Sequence, residues 1–121
     1  RMKSDRQGML LYIEPSANVS EVPVIDEATR KMTAAFRRAT RGIAYRGFHT
    51  CRCGANSSNC DYTLADGTQT NSLCIHYLAL HRHEVPASQV QKVLSLTCGE
   101  EEPTQEQLNI PRHYNQKIGM R

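Results

Sequence analysis

Apolar positions fall along this chain in short groups, and the spacing changes from one group to the next. Met9, Leu10, Leu11 and Ile13 form a run between Gly8 and Glu14 and predict a short strand. Pro15, Ser16, Asn18 and Pro23 then predict an irregular connection. Ala28, Met32, Ala35, Phe36 and Ala39 recur at helical spacing, which predicts a helix from about 26 to 40. Asp26 suits its N-cap, Glu27 suits the first turn, and Gly42 is the expected stop. Ile43, Tyr45 and Phe48 predict a strand running to Thr50, with a bend at Gly47.

Further on, polar residues rich in Gly, Asn, Ser and Cys predict a turn over 51–60. Residues 62–64 and 68–70 flank Ala65-Asp66-Gly67, and the Asp-Gly pair predicts a hairpin with a two-residue turn. Leu73, Tyr77 and Leu80 form the stripe of a helix from 73 to about 83, with Thr70, Asn71 and Ser72 as available caps. Pro86 opens a further helix with Val90, Val93 and Leu94 on its apolar side, ended by Gly99. From about residue 100, Pro103 and Pro111 and the scarcity of apolar residues predict a loosely packed tail. The fold class expected is α+β: a small domain with short antiparallel strands, a hairpin and about three helices.

Composition sharpens this picture. The 121 residues suit a single domain spanning 1–121, with no Trp, two Phe and five Tyr to build its core. A chain of this length buries only about two thirds of its unfolded surface, so a cross-link or a metal would strengthen it noticeably. No stretch approaches the roughly 20 apolar residues of a membrane span. Residues 1–11 hold no apolar run of secretory length, and Arg1 ahead of Met2 reads as a trimming product. The expectation is a cytoplasmic protein.

Five cysteines are an odd number, and without a leader they argue against a disulfide framework. Cys51, Cys53 and Cys60 lie within ten residues of one another, a clustering that points to metal or catalysis rather than coincidence. His49, Cys74, His76 and His81 complete the candidate ligands. Zinc takes four thiolate or imidazole donors in a closed structural site. Gly54 permits a left-handed residue after Cys53, and a helix start at Cys74 would favour a thiolate there. His49 reads as a ligand or, by preference, as a donor behind the ligands. Cys60 reads as a small buried residue or a spare thiol, Cys98 as core and His83 as surface.

The pattern Cys51-x-Cys53, about twenty residues, then Cys74-x-His76 resembles the SWIM-type zinc finger. The likeness covers 48 to about 80. It implies a zinc ion held by Cys51, Cys53, Cys74 and His76, and a binding role towards DNA or protein. The run GFHTCRCG with TNSLCIHYLALHRHEVP also resembles a set of small bacterial proteins, where the likeness brings a fold and no activity. It raises a rival set in which His81 replaces Cys74. On a regular helix, positions 76 and 81 stand about 140° apart and positions 74 and 76 about 200° apart. Each pair therefore needs an irregular helix, and Cys74 at an unwound start is preferred.

Charge bears on partners. Net charge is +3, yet from 30 to 60 the chain carries Arg30, Lys31, Arg37, Arg38, Arg41, Arg46 and Arg52 and no acid. Glu100, Glu101 and Glu102 collect elsewhere. A basic face with Arg30, Lys31, Arg37, Arg38 and Arg41 could contact nucleic acid or an acidic protein. Few aromatics accompany it, which favours backbone contact over base readout. The alternative is a protein-interaction accessory or immunity-type partner, using Leu108, Ile110 and Tyr114. No metalloprotease or deaminase zinc motif is present, so an enzyme is the least favoured reading.

Overall fold

The computed structural model describes residues 9–44, 50–58 and 60–110, with the side chains of Ile43 and Ala44 excepted. The elements run α1 (Glu27–Arg37), β1 (Thr40–Ala44), β2 (Cys60–Thr63), β3 (Gln69–Asn71), α2 (Cys74–Leu80), a 3-10 turn at Arg82–Glu84, α3 (Ala87–Leu94) and α4 (Gln105–Leu108). The strands form one antiparallel sheet in the order β1-β2-β3. The architecture is α+β, with four helices beside a three-stranded sheet among the described residues.

The core is built around α2. All seven of its residues are buried, so it has no solvent face. A helix this short is not stable by itself; its neighbours hold it. Carbonyls at a helix end need partners, and the connection before α1 supplies two of them. Ser20 N–H donates to Leu80 O and Val24 N–H to Ala79 O, both at 2.8 Å. Arg82 Nε donates to Leu78 O at 3.1 Å, and His81 N–H to Tyr77 O at 2.9 Å. The helix therefore stops at Leu80, short of the expected 83.

α1 packs on this core through Ala28, Met32 and Ala34, while its arginines face outward. Burying Met32 alone contributes about 1.5–3 kcal/mol. Asp26 caps the helix, accepting from Thr29 N–H at 3.2 Å. The same carboxylate takes both terminal nitrogens of Arg82, at 2.9 and 2.6 Å. That pairing fastens the start of α1 to the turn that follows α2.

Several expectations are corrected. Residues 10–14 form no strand; only Met9 bridges, in parallel, to Gln69. The chain kinks at Leu11, whose φ of 61° lies in the left-handed region. Gln89 Oε1 accepts from Leu11 N–H and Asn71 Nδ2 donates to Leu11 O, each at 2.7 Å, and these bonds hold the kink. Gly42 does not end α1, which closes at Arg37; it lies in β1, where a Cβ would come within 3.0 Å of Asp61 O. The hairpin turn has three residues rather than two. Leu64 N–H donates to Thr68 O, Gly67 N–H donates to Leu64 O, and Gly67 takes φ 92°, the three-residue loop with a left-handed last position. The bend expected at Gly47 lies outside the described residues.

Residues 100–110 differ from a loose tail. Glu101 N–H donates to Arg30 O at 3.0 Å. Thr104 and Gln107 cap α4 reciprocally, and Leu108 is 5% exposed in the core. Glu100 and Glu101 bond to α1, Thr104 and Gln107 bond to one another, and Leu108 enters the interior with Ile110 packed beside it. Tyr114 and the rest of 111–121 lie outside the described residues.

Arg82 holds the Asp26 carboxyl down at about 2, against an ordinary value of 3.8. A lowered carboxyl stabilises the fold above its unfolded value, so this contribution should be intact above about pH 4 and disappear as pH falls towards 2. Asp26→Ala should cost about 1–2 kcal/mol in urea unfolding at pH 7, combining a lost cap with a partly exposed ion pair. The difference from wild type should shrink at pH 2.

Candidate metal centre

The Cys turn is tight. Cys51 N–H donates to Ala55 O at 2.7 Å and Gly54 N–H to Cys51 O at 2.8 Å. Gly54 takes φ 107°, with open space where a Cβ would stand, so glycine is required there for its backbone alone. The turn aims the sulfurs of Cys51 and Cys53 at α2.

From the other side come His76, on α2, and His81, just past its end. The donor atoms of Cys51, Cys53, His76 and His81 all lie within 4.8 Å of one another, and all four residues are buried. Cys51 Sγ is 3.4 Å from His81 Nε2, and Cys53 Sγ is 3.3 Å from His76 Nε2. A tetrahedral zinc with bonds of about 2.3 Å to sulfur and about 2.0 Å to nitrogen spaces such donors about 3.3–3.8 Å apart. The donor set suits a four-coordinate ion, and the two sulfur–nitrogen separations lie close to that spacing.

A carbonyl fixes one imidazole. His76 Nδ1 lies 2.9 Å from Leu108 O, which can only accept. The proton therefore sits on Nδ1 and leaves the Nε2 lone pair facing the sulfurs, the usual arrangement behind a metal-bound histidine. The His81 ring stands edge-on to His76, with centroids 4.9 Å apart. Its Nδ1 is buried without a hydrogen-bond partner among the described residues, a cost of about 1–3 kcal/mol that binding at Nε2 would have to offset.

The thiols are strongly perturbed. Cys51 is pulled down, chiefly by the hydrogen bond from the Cys53 thiol, with burial acting against it. Cys53 is pushed up, by holding that shared proton and by burial. A divalent cation would release that proton and bring both sulfurs to thiolate.

His81, and not Cys74, thus joins the other three candidate ligands. The angular objection to His81 assumed a helix running past it. Instead α2 ends at Leu80, and His81 takes φ −125° and ψ 30°, which turns its ring out of the helical path. Cys74 lies in the first turn of α2, fully buried, and burial pushes its thiol up to about 12. The expected thiolate at a helix start is absent because desolvation outweighs the helix end. Cys60 is buried at the start of β2, where Arg41 Nε donates to its sulfur at 3.1 Å and holds the thiol below its usual range. Cys98 is half-buried and donates to Lys31 O. His83 is exposed beside Glu84. His49 lies outside the described residues.

The basic residues are also placed. Arg30 pairs with Glu100 at 2.8 Å, and Glu101 accepts from Arg37 at 2.7 Å and Arg38 at 2.9 Å. The acid-free segment and the acid-rich one, distant in sequence, are neighbours in space. Sequence reasoning missed the Leu108 carbonyl, since a backbone acceptor carries no residue signature. The element presenting it was readable: Thr104-x-x-Gln107 is a capping box.

Compared with protein-family models, curated proteins and solved structures, the chain matches none. Its buried Cys-Cys-His-His cluster, able to hold a metal ion, is consistent with a zinc finger. Metal content by elemental analysis should separate the two fourth ligands. Cys74→Ala should retain the full metal stoichiometry with some loss of stability, whereas His81→Ala should lose most of the metal.

Proposed function

We propose that this chain is a small zinc-binding protein in which the ion is structural and the surrounding domain serves as an interaction module. The observation that carries this is the closed, buried set of two sulfurs and two imidazoles, one of them already oriented by Leu108 O. Two thiolates and two imidazoles suit zinc. Burial of all four donors leaves no open position of the kind a catalytic zinc keeps, and the group contains no carboxylate to act as base. Three of the positions implied by the SWIM-type pattern, Cys51, Cys53 and His76, belong to the proposed site, and His81 takes the fourth place. All five cysteines are free thiols, which suits a reducing compartment such as the cytoplasm. Among the described residues, no helix is long and apolar enough to cross a membrane.

The partner of the module is more consistent with a protein surface than with nucleic acid. Arg30, Arg37 and Arg38 already hold carboxylates, and Arg41 donates to Cys60. A phosphate backbone would have to displace Glu100 and Glu101 to use the first three. Duplex and single-stranded oligonucleotides should therefore bind only weakly; micromolar, salt-dependent binding in a titration would restore the nucleic-acid reading.

The metal itself is tested directly. Native mass spectrometry should find one zinc per chain. A strong chelator should lower the melting temperature by 10 °C or more or abolish the cooperative transition, because the ion's binding energy is folding energy. A metal-free chain that melts cooperatively and ignores the chelator would end this reading.

A further inference from the structure

Residues 100–109 touch both halves of the metal centre and hold α1 as well. At one end, Glu100 and Glu101 pair with Arg30, Arg37 and Arg38. In the middle, the Thr104 hydroxyl accepts from Gln107 N–H at 3.0 Å, while Gln107 Oε1 accepts from Thr104 N–H at 2.9 Å. This box sets the direction of α4, which buries the Leu108 side chain and delivers its carbonyl to His76 Nδ1. Asn109 then turns the chain at φ 54°, and its Nδ2 donates to Asn56 O at 2.9 Å. Asn56 directly follows Ala55, whose carbonyl closes the Cys turn. One short segment thus braces the helix-borne imidazole and the cysteine loop.

We propose that residues 100–109 form an outer strap of the metal centre, so that docking of the strap and binding of the ion are coupled. The proposal rests on the zinc reading above. With the strap docked, the His76 proton is fixed on Nδ1 and the Cys turn is held against α2, so the four donors are arranged before the ion arrives. With the strap released, His76 loses its acceptor and Asn56 its donor, and the ion must order the site itself. Coupling is reciprocal, so the bound ion also holds the strap down. Thr104 and Asn109 are positioning residues here; neither supplies a donor to the ion.

The test compares zinc affinity, by competition with a chromophoric chelator, in the full chain and four variants. Thr104→Ala removes the box that sets α4, and should weaken zinc about fivefold. Asn109→Ala removes the amide to Asn56 and disfavours the left-handed turn, and should weaken it about tenfold or more. Gly67→Ala strains the hairpin tip, where φ is 92° and nothing crowds a Cβ. It should lower stability without a comparable loss of affinity, and so separates strap coupling from general loosening. Asn109→Gly keeps the turn and loses the amide; its affinity should fall between Asn109→Ala and wild type. Strap variants that bind zinc as tightly as wild type, or that weaken it no more than Gly67→Ala at matched stability, overturn the coupling while leaving the metal centre standing. A wild-type chain that binds no zinc overturns the metal centre first, and the coupling with it.

Discussion

Four donors with almost no contact with water, two sulfurs and two imidazole nitrogens, must satisfy one another or be satisfied together. In pairs they do so imperfectly. Each sulfur finds one ring nitrogen, and the two thiols are shifted in opposite directions by their closeness. Such a cluster is expensive in a small core unless a single group binds all four. The surrounding fold is arranged about that point. The Cys turn faces α2, α2 stops where His81 must leave the helix, and α4 arrives with a carbonyl.

The length of α2 is the critical adjustment. One further helical residue would carry His81 around the helix and away from the sulfurs. The stop requires partners for the exposed end carbonyls, and residues 20 and 24 supply them from a connection that otherwise looks featureless. Arg82 adds a side-chain donor and anchors the turn to Asp26. A structureless stretch before α1 and a cap at its start thereby determine where an imidazole points on another helix.

Much of this was legible in the residues. Cys-x-Cys followed by glycine signalled the turn, and its glycine adopts the left-handed backbone anticipated for it. The helices at α1, α2 and α3 followed from apolar spacing, and the hairpin from Asp-Gly. The choice between Cys74 and His81 was not legible, because angular reasoning takes the helix as regular while the decisive event is its termination by distant backbone. Residues 9–14 looked like a strand because their apolar run cannot disclose a kink held by Gln89 and Asn71. The segment after Gly99 looked loose because its anchors are charges and a carbonyl rather than apolar side chains. The basic stretch looked unpaired for the matching reason: its acids lie some seventy residues on.

The long reach of these ties has a consequence for how the molecule is made. Hydrogen bonds join Leu11 to Gln89, Asp26 to Arg82, Arg30 to Glu100 and His76 to Leu108. Each links an earlier part of the chain to a much later one. A ribosome that has released α1, the sheet and even both histidines has still not delivered the residues that lock them. The nascent chain must therefore grow past Leu108 before all four of these ties can form.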